Sequence, residues 1–146
     1  QHDKNNRKGG GKMKDMKLVY IASPYAGDIE YNTRKAIEYC RYAVGHGVIP
    51  LAPHLLFPRF LSELNPEERE MGISMGLALI AKCSELWVFG NKITTGMHRE
   101  ILQADRLGIA VKYLGELEMT DYPKPIQQEP EETPSFGTHM GMSIKP

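Results

Sequence analysis

Apolar residues in this chain gather into four short runs, Leu18–Ala22 (LVYIA), Val48–Ala52 (VIPLA), Glu85–Gly90 (ELWVFG) and Ile109–Leu114 (IAVKYL). Each is short and rich in β-branched or aromatic residues, which predicts four strands. The first does not alternate between apolar and polar positions, so it is expected to be covered on both faces. Between the runs the spacing is helical. One helix is predicted from about Ile29 to Val44, with Asp28 as a cap and Gly45 and Gly47 as stops. A second starts at Asn65-Pro66-Glu67-Glu68, an N-cap followed by proline and first-turn acids, and runs to about Lys82. A third spans about Gly96 to Leu107 and ends at Gly108. The intervening PHLLFPRFL reads as a broken helical turn on either side of Pro58.

The order β-α-β-α-β-α-β predicts a parallel sheet with helices on both faces. In such sheets a ligand sits beyond the carboxyl ends of the strands, where the strand order switches. That rule selects the loops after Ala22, Ala52 and Phe89.

One charged position breaks the pattern. On a wheel of about 100° per residue, Glu100 falls within about 60° of Met97, inside an apolar arc with Ile101, Ala104 and Leu107. Arg99, Gln103 and Arg106 project to the other side. Burying an ionised carboxylate without a partner costs several kcal/mol. Glu100 lies in the first turns after a strand, so its side chain should face the crevice rather than the core. An ionised, poorly solvated carboxylate suits a nucleophile or a hydroxyl acceptor. First-turn acids are also favoured by the helix dipole, and Arg99 could pair with this one, so the wheel alone leaves both readings open.

Other candidates surround the same crevice. Asn32 projects into the apolar arc of the first helix (Ala36, Ile37, Tyr39, Cys40, Ala43, Val44), and either lines the crevice or braces loop carbonyls. In SPYAGD, Ser23 can donate or accept, Tyr25 can stack on a ring, and Gly27 lets backbone approach a ligand. The same residues, with Asp28, also make an ordinary turn. His54 follows the second strand and reads as a substrate contact or a structural hydrogen-bonder. NKITTG could offer backbone amides to an anion. P-loop, GxGxxG, HExxH and paired-cysteine metal motifs are absent from the sequence. No metal or cofactor is expected.

Charge and ends refine the picture. Net charge is zero, so nothing overall favours a nucleic-acid polymer or an anionic membrane. The distribution is uneven: Lys4, Arg7, Lys8, Lys12, Lys14 and Lys17 open the chain, while Glu116, Glu118, Asp121, Glu129, Glu131 and Glu132 crowd its other end. Residues 1–16 are expected to be a flexible leader, 17–118 the folded domain, and 119–146 a disordered, acidic, Pro-rich tail. Cys40 and Cys83 are expected as free thiols in a cytoplasmic setting, with no signal peptide or membrane span. The Pro66–Lys82 helix is apolar nearly all round. Its second face is expected to be covered by a homo-oligomer partner or by HLLFPRFL.

Taken together, YIASPYAGD, Asn32, PHLLF, CSELWVFG and TTGMHREILQA resemble the nucleoside 2-deoxyribosyltransferase-like superfamily, and a bacterial and phage branch of it most closely. The likeness extends over about Lys17 to Leu114. It implies a three-layer α/β/α, flavodoxin-like or Rossmann-like fold on a small parallel sheet of four to five strands, assembled as dimers or larger. It implies a nucleoside or nucleotide substrate and N-glycosidic cleavage or (deoxy)ribosyl transfer, with Glu100 as the nucleophile. Ser23 to Asp28 and Asn32 would then line the sugar and base pocket. Tyr25 would pack on the base or orient Glu100, and Gly96 and Met97 would border the site. Transferases of the superfamily carry an aspartate a few residues before the glutamate. The stretch here is NKITT, with Asp28 or His54 as possible stand-ins, so base transfer and hydrolysis are both open. A non-catalytic nucleotide-binding sensor and an interaction module on the same fold are the alternatives.

Overall fold

A computed structural model describes residues 15–118 of the chain. Most of the expected leader and all of the expected tail lie outside the described residues. The elements are β1 (Leu18–Ala22), α1 (Ile29–Gly45), β2 (Ile49–Leu51), α2 (Pro66–Ile80), β3 (Glu85–Phe89), α3 (Thr95–Arg106) and β4 (Ala110–Gly115). The four strands form one parallel sheet in the order β2-β1-β3-β4. This is the expected parallel α/β architecture, with four strands. β2 is shorter than its apolar run because Pro50 and Pro53 restrict it to an edge position. Two short 3-10 turns, Pro53–Leu55 and Phe57–Arg59, replace the broken helical turn around Pro58.

The pleat of β1 sorts the two helix layers. Val19 and Ile21 point to α1 and pack with Tyr39, Ala43, Trp87 and Phe89. Tyr20 and Ala22 point the other way and pack with Ile80, Leu86, Val88, Met97, Ile101 and Ala104. Helices therefore cover both faces of β1 and β3, whose last four residues are all buried. The Tyr39 and Phe89 rings stack at 4.5 Å between centroids, tying α1 to the sheet.

Helix ends follow the sequence signals. Asp28 accepts from the backbone N–H of Tyr31, and Asn65 accepts from those of Glu67 and Glu68. α2 ends at Ile80, two residues earlier than expected. The buried stripes are narrower than the wheels suggest: Ile37, Val44 and Leu107 are exposed. A four-stranded sheet is too small to reach the flanks of its helices. Edge strand β4 likewise leaves Tyr113 exposed. Cys40 and Cys83 are free. Among the described residues, no helix is long and apolar enough to cross a membrane.

The second face of α2 meets the segment before it. A side chain at Gly72 would touch Leu61 and Phe57, and one at Gly76 would touch Tyr20 and Pro53. The HLLFPRFL segment therefore lies against the glycine-bearing side of α2, while Met71 stays about half exposed.

Candidate functional site

Because α1 leaves β1 on one face and α3 leaves β3 on the other, the chain parts above the carboxyl ends of these two central strands. A cavity of about 420 Å³ opens there, within the range of small-molecule sites. Tyr20, Pro53 and Gly76 line its inner part, and Ser23 and Tyr25 come from the loop after β1. Phe57, Pro58 and Leu61 bring an apolar wall, and Thr94 to Met97 and Glu100 come from the start of α3.

Glu100 reaches this cavity with one oxygen held. The Tyr20 hydroxyl donates to its Oε2 at 2.7 Å. Its other oxygen has no partner among the described residues, and no buried side-chain oxygen or nitrogen there lacks one. Oε1 therefore stays accessible from the cavity. Arg99, the alternative ion-pair partner, turns instead to Glu70 at 3.6 Å. Burial pushes the Glu100 carboxyl up to about 7, while the hydrogen bond from Tyr20 pulls it down. The Tyr20 phenol, fully buried beside that carboxylate, is pushed well above its usual value. At neutral pH the site thus holds a carboxyl group poised between its two states, a condition associated with reacting groups.

A second polar pair faces the same space. Ser23 Oγ lies 3.1 Å from His54 Nε2, and Tyr25 meets the His54 ring edge-on at 5.6 Å. Desolvation lowers the His54 pKa to about 4, so the imidazole is neutral at pH 7.

The remaining candidates sit elsewhere. Gly27, Asp28 and Asn32 do not line the cavity. Gly27 turns the loop with φ +100°, and Asp28 caps α1. Asn32 Nδ2 donates to the carbonyls of Tyr25 and Ala26, bracing the loop rather than facing the crevice. Asn32→Ala is expected to cost about 1–2 kcal/mol by leaving these carbonyls without their donor; a denaturant titration checks it. The loop is also pinned from below. Pro24 is buried, and a side chain at Gly90 (φ +99°) would come within 2.9 Å of its Cδ. The tyrosine that meets Glu100 is Tyr20 of β1, whereas Tyr25 packs on His54. A signal for Tyr20 existed: it is the one hydroxyl in the buried run LVYIA. Gly76 gave none, since only the approach of α2 to β1 shows that its missing side chain leaves room for the phenol.

Among the described residues, no group of three or more His, Cys, Asp or Glu side chains could hold a metal ion.

These features define a parallel α/β domain with a carboxylate-bearing cavity at the switch in strand order. Within that class the chain belongs to the family described as a domain of unknown function, DUF7768, whose model matches residues 17–114. Among solved structures it is similar to a 2-deoxyribosyltransferase from the psychrotolerant bacterium Bacillus psychrosaccharolyticus, described as a biocatalyst for the synthesis of antiviral and antitumoral nucleosides. The TM-score is 0.54 at 19% identity, over 67% of this chain and 72% of that one. At this identity the likeness establishes the fold. No curated protein matches the chain.

Proposed function

We propose that this protein cleaves or transfers the N-glycosidic bond of a nucleoside or nucleotide, with Glu100 attacking the anomeric carbon of the sugar. The observation that carries this reading is the Glu100 carboxylate at the cavity, one oxygen held by Tyr20 and the other open. The fold shared with a 2-deoxyribosyltransferase supports it. In the first step Oε1 bonds to the anomeric carbon and the bond to the base breaks, its electron pair leaving with the base. Water then hydrolyses the glycosyl ester, or a second base accepts the sugar. Tyr20 fixes the carboxylate and favours its ionised form. Ser23, Tyr25, His54, Gly96 and Met97 line the space for sugar and base. The functional unit is residues 17–118, acting as a homo-oligomer through surfaces such as the exposed side of α2.

The test is incubation with inosine, cytidine, their deoxy forms and the corresponding monophosphates, with free base followed by chromatography. Base release is expected, and kcat/KM should rise with pH through about 7 as Glu100 ionises. Ligand-induced thermal stabilisation with no base released from any compound would instead favour a non-catalytic nucleotide sensor.

A further inference from the structure

A nucleobase leaving with the electron pair of its glycosidic bond is a poor leaving group unless something meets the charge it gains. Glu100 forms the new bond and cannot do this as well. Asp28 is occupied as the cap of α1 and lies outside the cavity lining. The loop before α3, Asn91 to Thr94, holds no acid.

Two further acids line the cavity, but Glu63 is exposed and Glu68 accepts from the backbone N–H of Ser62; the polar pair held inside it is Ser23–His54. His54 lines the cavity directly after Pro53, and Pro53 packs beside Gly76, whose neighbour is the Tyr20 hydroxyl that holds Glu100. Nε2 of His54 is engaged by Ser23 Oγ at 3.1 Å. Nδ1 has no hydrogen-bond partner among the described residues, yet no buried side-chain nitrogen there lacks one. Nδ1 is therefore accessible. Ser23 is itself 5% exposed, so its hydroxyl has little water to choose over the imidazole.

We infer that His54 is the hydrogen-bond donor to the departing base, with Ser23 donating to Nε2 and thereby placing the ring proton on Nδ1, toward the cavity. The inference rests on the glycosyl-transfer reading of Glu100. As the bond to the base breaks, Nδ1–H donates to a nitrogen or oxygen of the base on which negative charge develops. The imidazole keeps its proton, and the base takes one from water. When water then hydrolyses the Glu100 ester, it releases a proton in turn, so hydrolysis consumes one water overall. The pKa of His54, lowered to about 4, agrees with a neutral donor rather than an imidazolium acid; neutral imidazoles serve as electrophilic donors elsewhere. Tyr25, edge-on to the ring, holds it in this orientation.

Two substitutions separate this role from a structural one. An asparagine amide nitrogen falls near the place of Nδ1, and a glutamine amide nitrogen near that of Nε2. His54→Gln keeps the Ser23 contact and loses the cavity donor; His54→Asn does the opposite. Each is assayed on the nucleosides and nucleotides named above and on para-nitrophenyl glycosides of the same sugars, whose leaving group needs no donor. His54→Gln is expected to lose roughly 100-fold on base-bearing substrates and to stay near wild type on the nitrophenyl glycosides, with His54→Asn clearly milder on the former. Equal losses on both substrate classes, or a milder glutamine variant, overturn the inference and leave the Glu100 reading intact. A wild-type protein that cleaves neither class overturns both. Nitrogen NMR of the unliganded protein gives a readout free of turnover and of variant folding. A protonated Nδ1 and bare Nε2 at pH 7 are expected, and the reverse tautomer overturns the inference.

Discussion

Glu100→Gln is expected to abolish turnover and, at the same time, to make the protein more stable above neutral pH. The amide preserves shape and still accepts from Tyr20, but it cannot attack the anomeric carbon, so kcat should fall by at least about a thousandfold. The stability gain follows from linkage. The carboxyl titrates at about 7 in the fold against an ordinary value of 4.5. Below pH 4.5 it is protonated in folded and unfolded chains alike, and no stability is lost. As pH rises from there through 7, the unfolded chain ionises first, and the fold must then hold a charge it solvates poorly. The wild type therefore loses stability across that window, by about 3 kcal/mol in full. Glutamine does not titrate and escapes the loss. Thermal melts of both proteins at pH 4 and pH 8 should nearly coincide at the lower pH. At the higher pH they should separate by something on the order of 10 °C in favour of the variant. Parallel melts at both pH values would show that Glu100 is well solvated, and would remove the physical basis for its role.

Gly90→Ala is expected to destabilise the domain by about 2–4 kcal/mol. Two independent terms add. At φ +99° an L side chain is strained, and the new Cβ would sit 2.9 Å from Pro24 Cδ. Neither partner can yield easily. Pro24 is buried in a ring of fixed shape, and Gly90 donates its backbone N–H to the carbonyl of Gly115, which anchors the end of β4. Relief must come from moving the loop that carries Ser23 and Tyr25, so substrate affinity should weaken along with stability. Urea unfolding combined with a KM measurement checks both. Gly27→Ala is the natural comparison: it shares a positive φ, but its added Cβ would meet nothing within 4 Å. It should show the backbone strain without the collision.

The legible part of the site was its carboxylate. Glu100 stood out because a helix exposes its periodicity in sequence, and a charge within an apolar arc has few places to go. His54, Ser23 and Tyr25 were legible as residues after strand ends in a parallel sheet, and the structure gathers them around one cavity with Glu100. Asn32 carried the same kind of signal as Glu100 and went elsewhere, because an amide one turn into a helix can satisfy the carbonyls of the loop before it. Tyr20 carried only a faint signal, as the one hydroxyl in a buried run. A tyrosine in a strand is ordinary as a core residue, and only the packing of α3 over β1 shows that its hydroxyl meets a carboxylate.

Local and periodic interactions are written along the chain, so the sequence by itself determined the four strands, the three helices, the N-caps of the first two, the parallel order of construction and the odd acid at the start of α3. Strand neighbours, the approach of α2 to β1 and the contacts of Tyr20 join residues far apart in sequence. Their partners are chosen by packing between elements, and no local pattern encodes that choice. Only the tertiary structure decided that β1 lies between β2 and β3, that the glycine-bearing side of α2 meets the segment before it, and that the carboxylate of Glu100 is held by the hydroxyl of Tyr20, eighty positions away.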